Sequence, residues 1–170
     1  MSKAKKICVL GEFAVGKTSL TRRYVLNSFS PDYQATLGVS LYKATANLQR
    51  GEEVALVLWD VEGGEYRASA LDRYVPGASG AFLVSDVTRP KSVEALSFFA
   101  ERFQSLSPGC PMVFAANKVD LAHQEETVNL ARDIAKTFDA SLMETSAADG
   151  TAVPEAFSSL ANEIYLRAEG

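Results

Sequence analysis

The sequence is poor in cysteine, in net positive charge and in long apolar runs, and each shortage closes off a class of protein. Cys8 in an apolar run and Cys110 between Gly109 and Pro111 are the only two cysteines. They make no disulfide framework, so a reducing compartment is expected, with the cytoplasm as location. Lysine and arginine number 17 against 21 acidic residues, giving a net charge of -4 and a pI near 5.1. That balance, without a basic stripe, argues against nucleic acid as a partner, since its phosphates would meet an acidic protein. The basic opening Met1-Ser2-Lys3-Ala4-Lys5-Lys6 is not followed by the apolar core of a secretory signal. No stretch is long enough to span a bilayer. Ser2 does not fit the myristoylation pattern, and Leu166 to Gly170 has no cysteine for prenylation. No lipid anchor is expected in this chain, and membranes would be reached through partners. The one histidine, His123, stands among polar residues and reads as a surface loop residue.

What remains is a chain of 170 residues, 47% hydrophobic, a length and composition that suit one domain over 1–170 with a real core. Short apolar runs at Ile7 to Leu10, Val54 to Trp59, Ala81 to Val84 and Met112 to Ala116 read as buried parallel strands, because their apolarity is continuous rather than alternating. Ser141 to Thr145 is a weaker strand. Val39 to Leu48 and Glu53 to Trp59 flank Gln49-Arg50-Gly51-Glu52, a hairpin turn that makes one edge strand antiparallel. Helical stripes lie between: Leu20 with Tyr24; Val93, Leu96, Ala100 and Phe103; Ala131, Ile134, Ala135 and Phe138; and Val153, Ala156, Phe157, Leu160, Ala161 and Ile164. The Glu125-Glu126 pair fits the positive end of a helix. The expected fold is α/β in three layers, a six-stranded mostly parallel sheet with one antiparallel edge strand and helices on both faces. Ligand loops would lie at the carboxyl ends of the strands.

Gly11 to Thr18, GEFAVGKT, fits G-x-x-x-x-G-K-T between a strand and a helix. Glycines let the backbone fold round a polyphosphate and aim its N–H groups inward, and the following helix N-terminus completes the nest. Phe13, Ala14, Val15, Gly16, Lys17, Thr18 and Ser19 are the phosphate-binding candidates. Lys17 would neutralise the outer phosphates and Thr18 would offer its hydroxyl to Mg²⁺.

By Asp120 the chain resembles the small GTPases of the Ras superfamily, with spacing similar to the Rab and Ras branches. The resemblance covers nearly all of the chain and implies a P-loop GTPase domain that binds GTP or GDP with Mg²⁺ as a molecular switch. Phe29 to Gly38 resembles the first switch. It implies Phe29 against the guanine, Tyr33 over the phosphates and Thr36 sensing Mg²⁺ and the terminal phosphate. Trp59-Asp60-Val61-Glu62-Gly63-Gly64-Glu65 resembles the second, with Asp60 holding Mg²⁺ through water and the Gly63 N–H approaching the terminal phosphate. Asn117-Lys118-Val119-Asp120 resembles the guanine-reading motif. Chemically, the Asp120 carboxylate accepts from the ring N–H and exocyclic amine of guanine, and adenine presents a mismatched edge. Glu144-Thr145-Ser146-Ala147-Ala148 resembles the last motif, which implies a backbone N–H near Ala147 on the guanine oxygen. Ala148 replaces the usual lysine. An ATP-using kinase of the same loop class is the weaker reading, because the N-K-x-D motif points to guanine.

Three departures gather where hydrolysis would occur. Gly64 stands at the position of the water-orienting glutamine, Phe13 at a normally small loop position, and Glu62 at a usual alanine. Lys17 and Thr36 remain as catalytic candidates, while Glu62, Gln34 and Glu65 are the groups available to replace the glutamine. The expectation is a slow GTPase, with a GTP-loaded binding module as the alternative. The resemblance also implies effector and regulator proteins at Leu41, Trp59, Tyr74 and the switch loops, on a monomeric protein. The lone tryptophan by itself reads as core before interface. The stretch from Gly63 to Gly77 lacks a sustained apolar face and would reorder when the terminal phosphate leaves.

Overall fold

Strands and helices alternate along the chain, as the apolar runs and stripes require. A computed structural model describes residues 3–30, 36–64 and 67–170. Strand β1 (Lys5–Gly11) leads into helix α1 (Lys17–Leu26), followed by the hairpin of β2 (Val39–Asn47) and β3 (Glu53–Val61). Then come α2 (Arg67–Tyr74), β4 (Gly80–Asp86), α3 (Pro90–Glu94), α4 (Leu96–Leu106), β5 (Met112–Asn117), α5 (Glu125–Thr137), β6 (Ser141–Thr145) and α6 (Val153–Glu169). The sheet runs in the order β2-β3-β1-β4-β5-β6. Only the β2–β3 pair among its neighbours is antiparallel, which puts the reversed strand at the edge as expected.

Alternate residues of the central strands feed two cores. Ile7 and Val9 of β1 pack with Leu20 of α1 and Phe157, Leu160 and Ile164 of α6. Cys8 and Leu10 face the other way, toward Leu71 of α2, Phe99 and Phe103 of α4, and Ala131 of α5. Burial on both faces is why these strands show no polar alternation. The hairpin closes through the Leu48 N–H on the Glu52 carbonyl and the Gly51 N–H on the Leu48 carbonyl. Gly51 has φ +93°, a left-handed conformation that glycine adopts without a Cβ clash.

Two elements depart from the sequence pattern. The segment after Gly63 holds an eight-residue helix, α2, although only Ala70 and Leu71 are buried along it. It is pinned from outside its own sequence, Arg102 Nε of α4 donating to Asp72 Oδ1 at 3.0 Å. The single helix implied by Val93, Leu96, Ala100 and Phe103 is two, α3 and α4, meeting at Ala95. All four stripe residues are still buried.

Candidate functional site

The carboxyl ends of β1, β3, β4, β5 and β6 converge on one rim, and the site is built there. After β1 the loop turns through Ala14 (φ 61°) and Gly16 (φ 102°), whose left-handed conformations curl successive N–H groups inward. Gly16 admits no side chain: a Cβ would stand 2.4 Å from Asn117 Nδ2. Helix α1 begins at Lys17 with no side-chain cap and no acidic residue in its first turn. Its positive end therefore stays available to an anion. Lys17 is buried and donates to the Gly11 and Glu12 carbonyls, each at 2.9 Å. Two of its three N–H donors are thus spent on the loop. Burial pushes its ammonium down to about 8, against the pull of the Asp60 and Glu12 carboxylates, and Arg89 adds to the depression. A further anion would favour the charged form of this buried cation.

Beside Lys17 three oxygen-bearing side chains meet from separate segments. Thr18 Oγ1 donates to Asp60 Oδ2, and the Thr36 hydroxyl lies 2.7 Å from Thr18 Oγ1 and donates to Asp60 Oδ2 at 3.2 Å. Asp60 is fully buried at the end of β3, and its Oδ1 has no hydrogen-bond partner among the described residues. Burial raises its carboxyl above the ordinary value, opposed by the Thr18 hydroxyl, the Lys17 charge and the Thr36 hydroxyl. A buried carboxylate with two hydroxyls on its Oδ2 and an unpartnered Oδ1 fits a hard cation that keeps its own waters. Thr18, Thr36 and Asp60 are the residues that would hold Mg²⁺, and bound there the ion would neutralise phosphate oxygens. Gly63 closes the corner. A Cβ at Gly63 would fall 2.1 Å from the Gly11 carbonyl and 2.6 Å from Lys17 Nζ, so only glycine lets the second switch touch the loop.

On the other side, strand register sets the pieces. Asp86, Asn117 and Thr145 are Cα partners across the ends of β4, β5 and β6. Buried Asn117 donates through Nδ2 to the Val15 carbonyl at 3.0 Å and accepts at Oδ1 from the Thr145 hydroxyl at 3.0 Å. Lys118 donates to the Ala14 carbonyl at 3.0 Å and pairs with Asp86 at 2.9 Å. Burial would raise the Asp86 carboxyl, but the bonds from Lys118 and Thr88 outweigh it and hold it below the ordinary value. Asp120 is exposed, with Oδ1 fixed by the Ser146 hydroxyl at 2.8 Å. Ala147 is buried beside Ser146, and the carbonyls of Ala147 and Ala148 accept from Arg23 of α1, both at 2.7 Å. The loop after β1, the ends of β4 and β5 and the segment after β6 thus form one bonded unit.

The model of the Ras family matches residues 6–166. The chain belongs to the Ras family. It is 33% identical to Ras-related protein Rab-13 of Canis lupus familiaris over 97% of this chain and 82% of that protein. It is 32% identical to Ras-related protein Rab-7b of Mus musculus over 97% and 84%. It is also 32% identical to GTP-binding protein ypt5 of Schizosaccharomyces pombe over 95% and 78%. As a Ras-family protein it is a GTP- and GDP-binding molecular switch of signalling or trafficking, uses Mg²⁺, hydrolyses GTP and works through effector and regulator proteins.

Within the Ras-family frame the three departures occupy connected positions. The Phe13 ring is half exposed, and a Cβ on Gly64 would sit 4.0 Å from its Cδ2. The Phe13 carbonyl accepts from Arg89 at 2.8 Å. Glu12 beside it pairs with Arg67 of α2 at 3.3 Å, and that guanidinium lies 5.1 Å from the Phe98 ring centre. Glu62 does not point into open space: its carboxylate accepts from the Gly38 N–H at 3.1 Å. Gln34 and Glu65, the other two replacement candidates, lie outside the described residues, as does Tyr33. Phe29 is described and 42% exposed, and Ser19 is half-buried on α1. His123 is exposed, its Nδ1 2.7 Å from the Leu121 carbonyl.

Leu41 and Trp59 are Cα partners across the hairpin, and the Trp59 ring stands 6.4 Å from that of Tyr74. Trp59 is half-buried under Lys6, whose ammonium lies 3.7 Å over the ring, while Leu41 is 56% exposed. Core and surface readings of the tryptophan therefore both describe part of it. Sequence reasoning missed Arg23, Asp86, Arg67 and Arg89. Asp86 had a signal, a carboxylate ending an apolar run on the ligand rim. The arginines had none, because each acts on a carbonyl or carboxylate distant in sequence.

Proposed function

We propose that the switch turns over slowly by its own means and that the residues gathered on the rim carry its nucleotide. Lys17, Gly16 and the nest through Ala14 serve the phosphates with Phe13, Val15, Thr18 and Ser19; Thr18, Thr36 and Asp60 hold the metal. Asn117, Lys118, Asp120, Ser146, Ala147 and Ala148 form the guanine side, and Phe29 and Tyr33 cover the nucleotide from the first switch. The observation that carries this reading is the meeting of Thr18, Thr36 and Asp60 from three segments separate in sequence, both hydroxyls on Oδ2 of a buried carboxylate whose Oδ1 has no partner among the described residues.

Slow turnover follows from what the rim does not offer. Gly64 has no side chain to orient water, and Phe13 sits against that position. Glu62, the described replacement candidate, has a carboxylate engaged on Gly38. Positioning and charge stabilisation by Lys17 and Thr36 remain, so hydrolysis is slowed rather than abolished. Single-turnover hydrolysis of Mg²⁺·GTP tests the proposal. Rates well below those of Ras-family proteins with the glutamine are expected, and an ordinary unassisted rate would reject it. Effectors are proposed to dock on Leu41, Trp59 and Tyr74 of a cytoplasmic monomer brought to membranes by its partners. The support is one side of the hairpin that carries an exposed leucine opposite a half-exposed aromatic pair. Among the described residues no helix is long and apolar enough to cross a membrane.

A further inference from the structure

Gly38 and Glu62 face each other just beyond the last paired residues of β2 and β3, Val39 and Val61. The Glu62 N–H donates to the Gly38 carbonyl at 2.9 Å. In an antiparallel ladder the second bond of such a pair runs from the Gly38 N–H to the backbone carbonyl opposite. Here that N–H goes to the Glu62 side chain, at 3.1 Å to Oε2. The carboxylate thus stands in for a main-chain acceptor, and the chain beyond Glu62 leaves the ladder to bring Gly63 onto the phosphate loop.

The bond joins two segments that a Ras-family switch otherwise couples through the terminal phosphate. Gly38 lies two residues from Thr36, whose hydroxyl rests on Thr18 and Asp60. Glu62 lies two residues from Asp60 and next to Gly63. Gly38 also meets α2: a Cβ there would sit 3.2 Å from the Tyr74 hydroxyl, and its φ of +73° admits few other residues. An alanine, the residue that the family resemblance implies at position 62, has no acceptor to offer. A charged acceptor holds a backbone N–H more strongly than a neutral one does.

We infer that Glu62 is a positioning residue, a staple that keeps the end of the first switch and Thr36 on the second switch whether or not a terminal phosphate is present. This rests on the switch function of the family. Its consequence is a protein whose GDP form retains more of the closed arrangement than a switch held by phosphate contacts alone. The carboxylate acts on Gly38 and not on the attacking water.

Amide hydrogen exchange on the Mg²⁺·GDP form reads the staple directly. The Gly38 amide is expected to be protected in the wild type, and unprotected exchange there overturns the inference without any variant. Glu62→Ala should exchange at Gly38 on the order of tenfold faster in the GDP form, the size of effect that losing one bond to a charged group allows. The acceleration should be smaller with a non-hydrolysable GTP analogue, where the phosphate also holds Thr36. Glu62→Gln, which keeps an acceptor oxygen, should restore most of the protection. Equal exchange in wild type and Glu62→Ala, or equal acceleration in both nucleotide forms, overturns the proposal. A protein that takes up neither nucleotide would count against the nucleotide site instead. The same wild-type and Glu62→Ala comparison on the nucleotide-free protein would then decide the staple.

Discussion

At the scale of single residues, glycines and buried polar groups decide what the rim can do. A Cβ at Gly63 would clash with the Gly11 and Glu12 backbone and with Lys17 Nζ, whereas a Cβ at Gly64 meets only the edge of Phe13 at an ordinary van der Waals distance. Gly64→Gln should therefore fold without strain and raise intrinsic hydrolysis, on the order of tenfold if a positioned amide orients water. Single-turnover rates would show it, and an unchanged rate would place the block elsewhere, at Phe13. Cys8 offers a second test. Burial pushes its thiol from 9.0 up to about 12, with the Lys6 charge opposing. Between those values the folded thiol keeps a proton that the unfolded one releases. Its contribution to stability is thus intact below pH 9 and is lost as pH climbs toward 12. Iodoacetamide at mildly alkaline pH should label half-exposed Cys110 in the native protein and spare Cys8 until the chain is unfolded. Peptide mass spectrometry that finds both labelled alike would contradict this.

At the scale of elements, helices act on the site through side chains aimed at other segments' backbones. Arg23 of α1 holds the carbonyls of Ala147 and Ala148 in the loop after β6, where the family resemblance implies a lysine at Ala148. The loop is thus braced from below by a helix rather than by its own residue. Arg23→Met should speed GDP release about tenfold, since two bonds from a charged group are lost. Fluorescent-GDP dissociation measures it, and a Ser146-side loop that needs no brace would leave the rate unchanged. The hairpin offers a separable test. Leu41→Ala, at an exposed edge position, should weaken capture of effectors while leaving GDP dissociation within about twofold, because surface truncations rarely disturb a fold. Coupled losses of both would move Leu41 from the partner surface into the nucleotide machinery.

At the scale of the whole molecule, the loops are one unit because β5 ties them together. Asn117 joins the Val15 carbonyl to Thr145 at its own strand end. Asn117→Ala would leave that buried carbonyl and hydroxyl unpartnered, at a cost of about 1–3 kcal/mol each before any relaxation. The expected outcome is a lower urea midpoint in the nucleotide-free protein together with loss of GDP binding. Loss of binding at unchanged stability would mean that Asn117 serves the base alone. Because ligand binds only the folded state, Mg²⁺·GDP should raise the melting temperature, and chelating the metal should withdraw most of that gain.

The sequence by itself determined the architecture and named residues that the fold brings together on one rim, because both depend on short-range patterns. Continuous apolar runs mark strands buried on both faces; Gly51 marks the hairpin turn; Gly16-Lys17-Thr18 at a strand-to-helix junction marks a phosphate nest. Tertiary structure decided what passes between distant segments. Helix α2 was illegible because a short helix with two buried residues borrows its anchoring from Arg102 of α4. The break at Ala95 left no trace, since the buried stripe runs across it unchanged. Glu62 is the clearest case. From the sequence it was a carboxylate at a usual alanine position, a group available to replace the glutamine. Only the approach of Gly38, whose N–H turns from the ladder to the side chain opposite, made that charge a bond between the two segments. Local patterns specify elements, but which donor meets which acceptor is fixed by the register and packing that bring them within 3.1 Å.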